Sequence, residues 1–183
     1  EMCVLPVMQD ENEKRRTVDE LPQASGGTTI MTTEPKFIPK EAALISPYDD
    51  ICIKVRLVDC VGYMINGANG HMENGVERMV KTPWTKEEIP FSKAAETGTR
   101  KVITEPSTIG IFVTTDGSIT GIERSDYIPA EEKTIKELKE INKPFVVLLN
   151  CVKPYSKEAA ALANEMSDKY DVSVIPVNCD QLK

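Results

Sequence analysis

The run Ile51-Cys52-Ile53-Lys54-Val55-Arg56-Leu57-Val58 delivers a carboxylate, Asp59, and a glycine, Gly62, follows three residues later. An apolar strand ending on Asp can aim that carboxylate at a Mg²⁺-bound water, and a glycine amide just beyond can approach a terminal phosphate. This is the geometry of a Walker-B aspartate, although Asp-x-x-Gly by itself is a frequent strand ending. Upstream lies Gly27-Thr28-Thr29-Ile30-Met31-Thr32-Thr33-Glu34-Pro35. In switch-type nucleotide hydrolases a loop threonine ligates Mg²⁺ and orders with the γ-phosphate. β propensity alone also accounts for threonines entering a strand. Threonines and Asp-x-x-Gly in this order, across what reads as a hairpin, point to the nucleotide more firmly than either alone.

A third segment is Asn150-Cys151-Val152-Lys153, at the end of the apolar run from Phe145. Guanine-reading enzymes place Asn-Lys-x-Asp here, with the Asp accepting from the guanine edge. Lys153 stands in its place, so guanine selectivity should be weak and ATP becomes the plausible nucleotide. No G-x-x-x-x-G-K-[ST] occurs, so the phosphate cradle and its lysine are not in this chain. Tyr63 follows Gly62 where a water-orienting Gln would stand, which leaves Thr32 or Thr33 for that task. The one histidine, His71, sits in a Gly/Asn-rich loop without a partner spacing and makes a poor base or metal ligand.

Positioning these groups requires an ordinary folded domain. The 183 residues are 40% hydrophobic and 28% charged, with a formal net charge of −7. One domain is expected. The acidic balance argues against a nucleic-acid groove and against attraction to an anionic bilayer, and no apolar run is long enough to cross one. The five scattered cysteines suit a reducing compartment better than a disulfide framework or zinc site. Cys52, Cys60 and Cys151 fall in or beside apolar runs, where a thiol acts as a small hydrophobe. The start, Glu1-Met2-Cys3-Val4-Leu5, reads as the middle of an apolar segment of a longer chain.

Residues 10–27 read as a charged helix end and a mobile loop. Lys36 to Ile45 and Ile51 to Asp59 read as an antiparallel hairpin, with Ile51, Ile53, Val55 and Leu57 on one face. Residues 60–91 form a long irregular insertion, in which Met79 and Trp84 look exposed. Helices are expected over Ser92–Glu105 with Ser92 as N-cap, over Pro129–Ile141 with Glu131 and Glu132 in its first turn, and over Ser156–Tyr170. Strands are expected over Ile109–Thr115, Phe145–Asn150 and Val172–Val177. Alternating strands and helices predict an α/β domain with a largely parallel sheet.

Longer blocks are more specific. Asp19-Glu20-Leu21-Pro22-Gln23, Thr29-Ile30-Met31-Thr32-Thr33-Glu34-Pro35-Lys36-Phe37, Val55-Arg56-Leu57-Val58-Asp59-Cys60-Val61-Gly62-Tyr63 and Arg124-Ser125-Asp126-Tyr127-Ile128 closely resemble the stage IV sporulation protein A family. So do Gly75 with Arg78-Met79, Thr82-Pro83-Trp84, and Ala94-Ala95-Glu96-Thr97-Gly98-Thr99-Arg100-Lys101-Val102-Ile103.

The resemblance implies a TRAFAC-class, GTPase-related P-loop fold that hydrolyses ATP with Mg²⁺. Residues 1–183 would be one such domain, truncated at its N-terminus: the family's first strand, its P-loop and most of the following helix, and its middle and C-terminal domains, are not in this chain. Loss of that central strand should expose unpaired edges, and nucleotide binding by this piece alone should be weak. By residue, the resemblance assigns the Walker-B carboxylate to Asp59 and γ-phosphate sensing and hydrolysis to Thr32 and Thr33. It makes Gly62 the switch-II glycine, and Asn150 with Lys153 the degenerate base-recognition segment. It also implies hydrolysis-linked self-assembly into the basement layer of the spore coat in the mother-cell cytoplasm, at the forespore surface. The implied partners are a small amphipathic membrane-anchoring peptide and other coat morphogenetic proteins.

Overall fold

The computed structural model describes residues 5–6, 8, 10–20, 36–48 and 50–182, without the side chains of residues 20 and 36–40. Three parallel strands, β7 (Gly110–Thr115), β8 (Phe145–Asn150) and β9 (Val174–Val177), pair in that order. They are connected by helices α3 (Arg124–Glu140) and α4 (Lys157–Tyr170). The central strand has the most continuous apolar run, Phe-Val-Val-Leu-Leu, as a strand paired on both edges requires. Val147 and Leu149 are 0% exposed and pack with Ile135, Ala163 and Met166. The face that α4 turns to this core is apolar: Ala159, Ala163 and Met166 are buried and Leu162 packs beside them. Ser156 caps α4 by accepting from the Ala159 amide at 3.1 Å, the usual way to satisfy a first-turn donor.

The antiparallel hairpin is also found. Strand β1 (Lys36–Tyr48) pairs with β2 (Ile51–Asp59), with Lys36 opposite Asp59 and Ile45 opposite Ile53. Helix α1 (Glu11–Glu20) lies against β1, and a small core gathers Leu5, Met8, Ala43 and Ile45 with Val55. The parallel sheet expected between helices is found in β7–β9, while among the described residues the hairpin does not join it and pairs as a separate two-stranded sheet. Strand alternation therefore does not translate into burial here, and Ile51 and Ile53 remain 44% and 45% exposed.

Residues 60–91 are less irregular than expected. They hold two short antiparallel pairs, β3 (Met72–Glu73) with β4 (Val76–Glu77) and β5 (Met79–Val80) with β6 (Ile89–Pro90). They lead directly into α2 (Phe91–Thr104), which starts one residue before the predicted Ser92. Ser92 is not its cap. The position before the helix is Pro90, which has no capping side chain, and Glu77 of β4 accepts the Ser92 amide at 2.8 Å instead. An acid from a neighbouring strand thus does the capping, also in keeping with the helix dipole. Hydrogen bonds from the Ser92 side chain and backbone hold the Glu77 carboxyl below its ordinary range.

The largest correction concerns α3. It begins at Arg124, five residues before the expected Pro129, which lies inside it. The two carboxylates assigned to a first turn then have other tasks. Glu132 pairs with Lys169 of α4 at 2.7 Å. Glu131 is 1% exposed and accepts from Arg124 (2.8 Å), Thr114 of β7 (3.0 Å) and Tyr170 of α4 (2.9 Å). Burial, and the bond to Glu131, push the Tyr170 hydroxyl pKa up against the lowering effect of Lys169. Removing one partner of a buried ion pair strands the other. Glu131→Leu should therefore cost about 3–5 kcal/mol of unfolding free energy in urea titrations. Arg124→Met/Glu131→Leu together should recover most of that loss.

Candidate functional site

Asp59 ends β2 with an exposed side chain, and its charge, after burial, raises the pKa of the neighbouring Cys60 thiol. Gly62 has φ +83°, a left-handed conformation that glycine adopts without strain. Its amide donates to Thr99 Oγ1 of α2 at 3.0 Å. The strand end is thereby held against α2, and the amide expected to face a phosphate is engaged inside the protein.

Tyr63, where a water-orienting glutamine would stand, turns to α3. Its hydroxyl donates to Glu137, and Lys133 lies 4.3 Å from the ring centroid while pairing with Glu96 of α2. Burial and the Glu137 bond push the Tyr63 pKa well up, so the hydroxyl keeps its proton. Neither Thr99 nor Glu137 could be assigned from spacing: they lie 37 and 74 residues from their partners.

Thr32 and Thr33 lie outside the described residues. The hairpin register nevertheless sets Lys36 opposite Asp59, so the chain that follows these threonines enters β1 at the Asp59 end of the ladder.

Asn150 and Lys153 belong to the other sheet. Asn150 Oδ1 accepts the Cys179 amide at 3.0 Å, and Asn178 Nδ2 donates to the Val152 carbonyl at 3.2 Å. The Val152 amide donates to Ser118 Oγ at 3.0 Å, and Asp116 holds Ser118 through Oδ1. Three loops at the carboxyl ends of β7, β8 and β9 are thus joined, at the end of an open α/β sheet where ligands gather. Lys153 is exposed, and its carbonyl accepts from Ser156. Asn150 acts here as a tie between loops. The structure thus places Asp59 with Gly62 beside α2 and α3, and Asn150 with Lys153 on the parallel sheet.

A Mg²⁺ ion needs hard oxygen ligands and is held by one or two carboxylates, with phosphate and water supplying the rest. Asp59, an exposed carboxylate at a strand end, fits that need. No cluster of three His, Cys, Asp or Glu side chains suited to a metal occurs among the described residues. His71 lines a cavity of about 370 Å³ with Met64, Asn66, Met72 and Glu77, its Nδ1 buried without a partner. Of the two insertion residues expected at the surface, Met79 is 53% exposed and Trp84 half-buried.

A model of the family described as stage IV sporulation protein A, ATPase domain, matches residues 1–183. The chain belongs to that family. Stage IV sporulation protein A of Bacillus subtilis (strain 168) is 50% identical over all 183 residues. The proteins of that name from Clostridioides difficile (strain 630) and Bacillus anthracis are 50% and 48% identical, again over the whole chain. The chain spans 37% of the length of each of these relatives. No solved structure matches it. An ATPase domain of a sporulation protein family is thus placed on the α/β arrangement described here, and no described helix is long and apolar enough to cross a membrane.

The cysteines test the local environments. Cys52 is exposed, whereas Cys151 is 0% exposed and its thiol pKa is pushed up by burial and then by Asp116. The expectation that all three act as small hydrophobes holds for Cys151 and fails for Cys52, which projects from the uncovered half of β2. Because the thiolate is the reactive form, iodoacetamide at pH 8 should modify Cys52 first. Cys60 and Cys151 should follow only at higher pH or on unfolding, as read by peptide mass spectrometry.

Proposed function

We propose that the protein is a Mg²⁺-dependent ATP hydrolase and that Asp59, Gly62, Thr32 and Thr33 form the phosphate end of its site. The observation that carries this reading is the Asp59–Gly62 strand end: an exposed carboxylate, then a left-handed glycine, in a chain matched throughout by an ATPase-domain family. Mg²⁺ bound with ATP would supply positive charge to the γ-phosphate, and Asp59 is the described residue suited to hold it. Thr32 and Thr33 would sense the γ-phosphate. Gly62 would release Thr99 when its amide turns to the nucleotide, so the Gly62–Thr99 bond favours the unloaded arrangement. Tyr63, fixed to Glu137, does not serve as a base, and the water-positioning task falls to the threonines.

Residues 1–183 form a single TRAFAC-like domain in this reading, whose phosphate cradle is supplied by sequence outside this chain. Hydrolysis would drive self-assembly of the spore-coat basement layer at the forespore surface, in the mother-cell cytoplasm. The partners would be further copies, a small amphipathic membrane-anchoring peptide and other coat morphogenetic proteins.

The test uses the full-length protein. Asp59→Asn and Thr32→Ala/Thr33→Ala should each lower ATP turnover on the order of 10²-fold or more, measured by phosphate release. The threonine variant should retain nucleotide binding and lose assembly. Unchanged turnover in both variants would remove Asp59 and the threonines from the site, and no turnover in the unsubstituted protein would remove the hydrolase reading. Lost turnover with intact assembly would make the domain a structural module.

A further inference from the structure

We propose that Tyr155 is the stacking platform for the purine base of a nucleotide bound at the carboxyl end of the parallel sheet. The inference rests on the ATP-hydrolase reading and adds the residue that holds the base. Tyr155 is 98% exposed, the most exposed of the large apolar and aromatic side chains among the described residues.

Its exposure does not come from a loose loop. Tyr155 follows Pro154, whose ring fixes the backbone, and it precedes Ser156, which caps α4 and donates its own amide to the Lys153 carbonyl at 3.1 Å. On the other side, Val152 is bolted to Ser118 and Asn178. The backbone carrying Tyr155 is therefore set in place by bonds to three neighbouring segments.

The position makes the exposure unusual. Tyr155 immediately precedes a helix cap, where an apolar residue ordinarily packs on the fourth residue of the helix. That residue is Ala160, which is itself exposed, and Tyr155 does not cover it. An aromatic ring on a fixed stretch of backbone thus projects away from the protein's own apolar surface, beside the loops where a nucleotide would sit.

Lys153 cannot accept from the guanine edge, so recognition of the base has to come from something other than that pairing. A ring face suits this, because stacking works for any base and is insensitive to edge chemistry. A base held this way would bind without strong selectivity between adenine and guanine.

The test compares Tyr155→Ala and Tyr155→Phe in the full-length protein, by equilibrium dialysis with Mg·ATP, Mg·GTP and Mg·tripolyphosphate alongside ATP turnover. Tyr155→Ala should weaken ATP and GTP binding about 5- to 150-fold and leave tripolyphosphate binding unchanged. Tyr155→Phe, which keeps the ring, should behave as the unsubstituted protein. Unchanged ATP binding in Tyr155→Ala overturns the platform while the hydrolase reading stands. An equal loss for tripolyphosphate also overturns it, because the effect would then lie at the phosphates or in the fold. Binding without turnover in the unsubstituted protein overturns hydrolysis and still decides the platform by the same comparison. No binding at all overturns both.

Discussion

The packing of helices on the parallel sheet depends on one carboxylate taken out of water. Glu131 loses nearly all hydration, a cost that only close, well-directed partners offset. Arg124, Thr114 and Tyr170 supply them from the start of α3, from β7 and from α4. The pair also matters to the helix that carries it. Pro129 removes an amide from the α3 ladder, and Arg124, at the first residue, is returned to the body of the helix by its bond to Glu131. Buried apolar side chains such as Val147 and Leu149 supply non-directional attraction. The Glu131 bonds fix which surfaces meet.

From this frame the two parts of the candidate site follow. The carboxyl ends of β7, β8 and β9 are fastened to each other by Asn150, Asn178 and Ser118, each a short polar side chain bonded to main chain. The Asp59 end is fastened differently, through Gly62 to α2 and Tyr63 to α3. One end is a set of loops locked along the sheet edge. The other is a strand terminus pinned to helices by two contacts, one of which uses the amide that the chemistry would need.

The sequence made the local elements legible where periodicity and burial agree. The β8 run, the helix at α4 and the hairpin ending on Asp59 could all be read, and the long family blocks pointed to the domain that the whole-chain match supports. It misled where a side chain's partner is distant. Ser92 has the chemistry of a cap, yet Glu77 takes the role from another strand. Pro129 looks like a helix start because proline is tolerated there, while the real start at Arg124 is stabilised through Glu131, seven residues on. Glu131 and Glu132 read as two acids of a helix's first turn, and only the tertiary fold shows that one faces the core and the other Lys169. Thr99 and Glu137 could not have been singled out, since a threonine or glutamate on a helix surface carries no local mark of a remote bond.

Strand β7 is paired on one side only among the described residues, and Ile109, Ile111 and Val113 are 68%, 60% and 52% exposed. These side chains share one face of the strand, and the unpaired edge beside it offers its main-chain groups to any other strand. Fibres grown from this chain by itself could then lengthen by strand addition, with no nucleotide and no hydrolysis, and would carry the 4.7–4.8 Å meridional spacing of stacked strands. Such material would look like a scaffold under the microscope while recording only an uncovered edge. A diffraction pattern, more than an image, tells the two origins apart.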